Sequence, residues 1–132
     1  MYSEFRQDIH PLAMDEGWEQ VPGGAEGLRQ KMLSNWLDET TKIGCRTRLI
    51  RFPPGQMVKD RFVHDYWEEV YILDGKLTIG TGPDGEVMES FGLASYACRP
   101  PGTPHGPFQS ENGCTFLEVQ YYSGYQPTKG AA

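Results

Sequence analysis

The stretch EEVYILDGKLTIG, residues 68–80, carries the clearest secondary-structure signal in the chain. Val, Tyr, Ile and Thr residues, which favour strands, lie on both sides of Asp74 and Gly75. An Asp-Gly dipeptide between two such runs is typical of a tight hairpin turn, in which both central residues take positive φ angles. The stretch therefore predicts two antiparallel strands joined at Asp74-Gly75.

Further short strands are predicted along most of the chain. CRTRLIRF, residues 45–52, alternates in polarity and ends where Pro53-Pro54-Gly55 forces a turn. Gly-Pro-Asp-Gly at 82–85 and Asn-Gly at 112–113 separate further strand-like runs. Residues 27–36 fit either a helix or a strand, and we favour a strand. This pattern predicts an all-β antiparallel barrel or sandwich.

Length and composition predict one domain with short flanking segments. The 132 residues include 16 Gly and 10 Pro and show no break in composition, which fits a single turn-rich core. Residues 1–26 are polar without a sustained period, and we interpret them as an irregular N-terminal arm. Residues 27–124 form the predicted barrel, and residues 125–132 form a C-terminal tail.

Charge and hydropathy exclude several classes of function. A net charge of −6 without a basic run argues against nucleic acid as a partner. No apolar stretch approaches the roughly 20 residues that cross a membrane, and the N-terminus lacks a leader pattern. We therefore expect a cytoplasmic protein without a membrane partner.

Cys45, Cys98 and Cys114 have no CxxC spacing, and we expect small buried thiols.

Candidate catalytic groups lie before and after the predicted hairpin. Strand alternation places one set of side chains on a single face: Phe62, His64, Tyr66, Glu68, Val70 and Ile72. A buried carboxylate on that face needs a partner or a metal. The opposite face carries Val63, Tyr71 and Leu73, so alternation alone leaves open which face is internal. A helix would also bring positions 64 and 68 together.

A third candidate, His105, lies in the segment RPPGTPHGPF, residues 99–108. Its prolines and glycines restrict the backbone, so the segment should form a rigid loop before the next apolar strand. A rigid loop is suited to placing a ligand or a catalytic group.

Two segments resemble the sequence motifs of the cupin family. Residues 53–75 are similar to the first motif, with His64, Glu68 and Gly75 at matching positions and Phe62 where the family has its first histidine. Residues 91–109 are similar to the second motif, where its proline, glycine and histidine match and Gln109 replaces the usual asparagine. The chain also resembles the cupin domain of a zinc-containing anti-sigma factor and β-diketone dioxygenases.

This resemblance implies a fold and a metal site. The fold would be a cupin, a conical double-stranded β-helix or jelly-roll barrel of two antiparallel sheets. The family's metal is held by three histidines and a glutamate, of which His64, Glu68 and His105 remain here. These three could hold a divalent Fe, Mn, Ni or Zn ion with open positions for substrate or water.

Other residues are candidates for the substrate pocket. We expect Tyr66 and Glu68 to be catalytic, with Tyr66 as a proton donor. The predicted pocket contains Phe62, Tyr66, Arg48, Phe108, Gln109 and Phe116. Arg48 and Arg51 lie on opposite faces of one predicted strand, so at most one of them points inward.

Three functional hypotheses follow from the sequence. The leading one is a metal-dependent enzyme on a small organic molecule, with dioxygenase-like, isomerase or lyase chemistry on an enol, diketone or carboxylate. The second is a binding or sensing cupin that has lost its metal. The third is a structural dimer module whose arm pairs with a neighbour. A homodimer fits all three.

Overall fold

The computed structural model describes residues 8–124, which form ten strands and no helix. In chain order they are β1 (Glu19–Gln20), β2 (Arg29–Asn35), β3 (Cys45–Phe52), β4 (Gln56–Val58), β5 (Trp67–Gly75), β6 (Leu77–Thr81), β7 (Val87–Phe91), β8 (Tyr96–Arg99), β9 (Phe108–Ser110) and β10 (Cys114–Tyr121). The predicted all-β class is confirmed. Within this part of the chain, no helix is long and apolar enough to cross a membrane.

The strands form two antiparallel sheets that face each other. The larger sheet has the order β1-β2-β3-β10-β5-β8, and the smaller has the order β4-β9-β6-β7. The chain passes repeatedly between the sheets, as in a jelly-roll barrel. β10 lies between β3 and β5 and pairs with both along its whole length, so Gln120 is opposite Arg46 on one side and Glu68 on the other.

Alternation along β5 determines what points into the barrel. Glu68, Val70 and Ile72 are buried, whereas Tyr71 and Leu73 are exposed. The face that carries Glu68 is therefore the internal one. The sequence alone had left this question open. The rest of the core between the sheets comprises Val21, Ile50, Phe52, Val58, Leu77, Cys114 and Phe116.

The predicted hairpin at Asp74-Gly75 is wrong, because β5 and β6 belong to different sheets. β5 already pairs with β10 on one side and β8 on the other, so it has no free edge for β6. Of the two turn residues only Gly75 has a positive φ, of 77°. The chain passes there from the larger to the smaller sheet, where β6 pairs with β7 and β9.

The remaining local predictions give a mixed result. Residues 45–52 form β3, residues 27–36 contain β2, and the turn at 82–85 joins the paired strands β6 and β7. The region expected to be an irregular arm contains the short strand β1, which pairs with β2. Of the thiols, Cys114 is buried but Cys98 is exposed. Residues 1–7 and the tail at 125–132 lie outside the described residues.

Candidate metal centre

The candidate metal centre is assembled from one strand and two loops. Glu68 is on β5, but β5 begins at Trp67, so the strand predicted to include His64 starts later than expected. His64 lies in the loop before β5. Phe62, in the same loop, forms an isolated bridge with His105. The Phe62 N–H donates to the His105 carbonyl at 2.7 Å, and the His105 N–H donates to the Phe62 carbonyl at 2.9 Å. These bonds fix the two histidine-bearing loops to each other.

The three predicted ligands converge at one point. Nε2 of His105 is 3.3 Å from Oε2 of Glu68, and Nε2 of His64 is 3.9 Å from Oε1 of Glu68. One ligand atom from each of the three residues lies within 4.8 Å of the others. Glu68 and His105 are buried, and His64 is partly exposed. The arrangement therefore faces the barrel interior and remains open on the His64 side.

Both imidazoles are neutral near pH 7. Burial, assisted by the nearby Arg99 guanidinium, lowers the pKa of His105 to about 4. Burial also lowers the pKa of His64, and the Glu118 carboxylate opposes this shift only in part. A neutral imidazole has a free lone pair and can bind a metal ion. The contact between His105 and Glu68 is therefore not an ion pair at neutral pH.

The Glu68 carboxylate is held at both oxygen atoms. The Gln120 side-chain amide donates to Oε1 at 2.7 Å, and Arg99 Nη1 donates to Oε2 at 3.1 Å. The amide oxygen of Gln120 accepts from Arg46 Nε at 2.7 Å and also from Arg46 Nη2. Because both ends of the amide are bonded, its orientation is determined, and it fixes Glu68 in turn.

The donor set fits a divalent transition metal. Two neutral imidazoles and one oriented carboxylate are the nitrogen and oxygen ligands that such ions accept. The missing fourth family ligand corresponds to Phe62, whose ring lies 6.4 Å from the His64 ring and 6.2 Å from the His105 ring. The three residues could therefore hold a divalent ion, and Phe62 would add no further ligand.

The centre opens into a cavity of about 840 Å³. Five of the predicted pocket residues line this cavity: Arg48, Phe62, Tyr66, Phe108 and Phe116. Gln109 is not among the lining residues. It follows Phe108 on β9, and neighbouring strand positions face opposite sides. Arg51 points away from the cavity, and its guanidinium stacks on Trp18 at 3.9 Å.

Tyr66 lies against the centre. Its ring stacks on His64 with 4.6 Å between centroids. Burial raises the pKa of Tyr66 to about 12, so the hydroxyl keeps its proton at neutral pH. The group can therefore donate a hydrogen bond or a proton to a molecule in the cavity.

Sequence analysis missed several polar residues that line the cavity, and four of them matter for the centre: Arg46, Arg99, Glu118 and Gln120. Alternation offered a signal for three of them, because Arg46 shares a face with Arg48, and Glu118 and Gln120 share a face with Phe116. Arg48 Nε donates to Glu118 at 2.7 Å. Burial and the neighbouring Glu68 raise the pKa of Glu118, and Arg48 opposes this shift.

A second, smaller cavity of about 330 Å³ approaches the centre from another side. It is lined largely by residues of β5, β6 and β8. Arg99 and His105 line both cavities. The two cavities therefore adjoin each other at the candidate centre.

A jelly-roll barrel with histidine and glutamate side chains directed inward defines the class of the cupins. A family model described as the ChrR cupin-like domain matches residues 7–122. The chain therefore belongs to the family of ChrR cupin-like domains. A comparison with curated proteins gives no match.

Three solved structures illustrate the likeness. The polyketide cyclase RemF from Streptomyces resistomycificus has a TM-score of 0.66 and 18% identity over 91% of this chain and 88% of its own. Acetylacetone dioxygenase from Acinetobacter johnsonii has a TM-score of 0.65 and 15% identity over 88% and 74%. Rhodobacter sphaeroides SigE in complex with the anti-sigma ChrR has a TM-score of 0.59 and 21% identity over 80% and 50%. At these identities the likeness establishes the fold alone.

Proposed function

We propose that this chain is a metal-dependent enzyme that acts on a small organic molecule. The observation that carries the proposal is the convergence of His64, Glu68 and His105, within 4.8 Å, on the wall of a large cavity. A bound Fe, Mn, Ni or Zn ion would supply Lewis-acid or oxygen chemistry at an enol, diketone or carboxylate oxygen. The dioxygenase and cyclase among the similar structures are in keeping with this proposal.

The protein's own residues would orient the substrate and move its protons. Tyr66 is protonated and adjacent to His64, so it would donate to a developing oxyanion. Glu68 is fixed by Gln120 and Arg99, and it would serve as a ligand and as an acceptor for a substrate proton. Phe62, Phe108 and Phe116 would exclude water from the apolar part of the substrate.

A metal-free binding or sensing cupin is the second candidate function. The observation that favours it is the position of Phe62, whose ring lies 6.3 Å from that of Phe108 and 6.4 Å from that of His64. These rings form an aromatic wall that would hold a flat ligand without a metal.

We also propose a cytoplasmic location, where the free cysteines would remain thiols.

Metal content tests the proposal. We expect untagged wild-type protein to hold about one first-row metal per chain, and His64→Ala and His105→Ala to retain less than about a tenth of it. His10→Ala, which removes an imidazole outside the cavity, is the control and should keep the metal. The measurement is elemental mass spectrometry, followed by turnover assays on β-diketones and hydroxy-aromatic acids with and without oxygen.

Two outcomes would contradict the enzyme proposal. Wild-type protein that takes up no metal after anaerobic reconstitution with Fe(II), Mn(II), Ni(II) and Zn(II) would move the assignment to the metal-free sensor. Metal that remains bound in both histidine variants would show that the ion lies at another site.

A further inference from the structure

Arg46 differs from the other arginines of the main cavity in its partners. Arg48 donates to the Glu118 carboxylate at 2.7 Å, and Arg99 donates to the Glu68 carboxylate at 3.1 Å. Arg46 has no carboxylate within 4 Å among residues 8–124. Among the described residues, its hydrogen-bond acceptor is the uncharged amide oxygen of Gln120. Within this part of the chain, Arg46 is therefore the one guanidinium of these three that forms no ion pair.

The position of that charge is fixed. Gln120 is 1% exposed, and its amide nitrogen is committed to Glu68, so its oxygen must face Arg46. Nε and Nη2 of Arg46 are both used by this oxygen. Nη1 has no hydrogen-bond partner in the part of the chain that the structure describes. A rigid guanidinium with a free nitrogen is suited to bind an anion.

The buried charges of the cavity wall favour an anion, although two exposed carboxylates at its edge oppose them. Among the described residues, its wall carries the three guanidinium groups of Arg46, Arg48 and Arg99 against the buried carboxylates of Glu68 and Glu118. Glu19 and Glu39 also line the cavity, but both are exposed to solvent. A metal ion at the centre would add further positive charge.

We propose that Arg46 binds a carboxylate of the substrate, which is therefore an organic anion. The carboxylate would lie against Nη1 of Arg46, and an adjacent oxygen of the same molecule would face His64, Glu68 and His105. The apolar part would pack on Phe108 and Phe116, which line the same cavity. This inference rests on the proposed function for the site and specifies the class of substrate.

Paired probes separate the charge from the shape of the ligand. Salicylate and salicylamide have nearly the same shape, but only salicylate carries a carboxylate. We expect wild-type protein to bind salicylate more tightly, and Arg46→Met to weaken salicylate binding by about tenfold or more. Salicylamide binding should change by less than about twofold. Isothermal titration calorimetry on Zn(II)-loaded and on chelator-treated protein measures both affinities.

Two further variants control for structural effects. Arg51→Met removes a guanidinium from the outer face of the same strand, and it should leave both affinities unchanged. Arg46→Lys keeps the charge but loses the planar fork, so it should give an intermediate loss for salicylate alone. It also provides a test if Arg46→Met does not fold. The inference is overturned if either Arg46 variant binds salicylate as wild type does, or if wild-type protein does not prefer salicylate to salicylamide.

The two metal states distinguish this inference from the proposed function. If wild-type protein holds no metal but Arg46 still determines salicylate affinity, the enzyme proposal fails and the anion site stands. If the protein holds metal and turns over a substrate while Arg46→Met binds salicylate normally, the anion site fails and the enzyme proposal stands.

Discussion

Glu68 is oriented before any ligand arrives. Its two carboxylate oxygens accept hydrogen bonds from Gln120 and Arg99, and both donors come from strands that pair directly with β5. A buried carboxylate without such partners would be costly to keep ionised. The strand pairing therefore holds Glu68 in a fixed orientation, with its carboxylate next to His64 and His105.

The buried histidines predict how the stability of metal-free protein depends on pH. Burial lowers the pKa of His105 to about 4, below the value of about 6.5 for an unfolded histidine. As the pH falls from 6.5 towards 4, the unfolded chain binds a proton that the folded protein does not. The free energy of unfolding should therefore fall over this window, by up to about 1.4 kcal/mol per pH unit for His105.

Urea denaturation of chelator-treated protein at several pH values measures this slope. The variant His105→Gln should show a shallower slope between pH 6.5 and 4, because one titrating group is gone. His10→Gln, which removes an imidazole in the N-terminal arm, is the matched control. Equal slopes for wild-type protein and His105→Gln would contradict the prediction.

Sequence motifs located only part of the site. His64, Glu68 and His105 could be predicted because their spacing matches motifs in which each residue is recognisable by itself. Alternation could place Arg46 and Gln120 on the inner faces of their strands, but it could not predict their bonds, which depend on the insertion of β10 between β3 and β5, opposite both Arg46 and Glu68. Such a relation across three strands leaves no local pattern.

At the scale of the elements, Gly75 shows why local turn signals are incomplete. The Asp-Gly dipeptide predicted a hairpin that does not form, because the pairing partners of the flanking strands depend on which edges are already occupied. Gly75 lies opposite Cys114 on β10, and a Cβ at this position would lie 2.1 Å from the Gly113 carbonyl oxygen. This position needs a glycine both for its positive φ and for this close approach.

We predict that Gly75→Ala destabilises the protein by more than about 2 kcal/mol, since it adds a backbone clash to an unfavourable φ. Gly55→Ala is the matched control. Gly55 also has a positive φ, of 81°, but a Cβ there meets nothing within 4 Å, so the cost should be about 1 kcal/mol. Chemical denaturation measures both values. Equal losses for the two variants would show that the close approach to Gly113 has no effect.

Strand positions were easier to predict than strand partners. β3 and the β6–β7 hairpin could be predicted because alternation and turn residues are local properties. The start of β5 was placed too early, because Phe62 and His64 continue the apolar alternation although their backbone bonds go to the loop around His105. Long-range bonds of this kind override the local pattern.

At the scale of the whole molecule, the outer face of the larger sheet predicts self-association. Tyr71 and Tyr96 are opposite each other on β5 and β8, and both are exposed. Leu73 shares a face of β5 with Tyr71, and Leu93 precedes Ala94, whose N–H donates to the Ile72 carbonyl; the two leucines are 40% and 72% exposed. An apolar surface of this kind beside a free strand edge favours contact with a second copy.

We therefore expect a homodimer, with a sedimentation-equilibrium mass twice the 14.9 kDa of the chain. Leu93→Lys should weaken the dimer by about tenfold or more, because it places a charge in the apolar contact. Ile43→Lys, at a site that is 61% exposed in the β2–β3 connection, is the control and should leave the dimer unchanged. A monomeric mass for the wild-type protein would contradict the prediction.

The central place of β10 has a consequence during translation. The ribosome makes β3 and β5 well before β10, yet β10 covers one edge of each of them along its whole length. A nascent chain that ends at β9 holds the larger sheet in two separate parts, β1-β2-β3 and β5-β8. Those edges would stay exposed to other chains until residues 114–121 emerge. Closure of the barrel must therefore wait for its last strand to leave the ribosome.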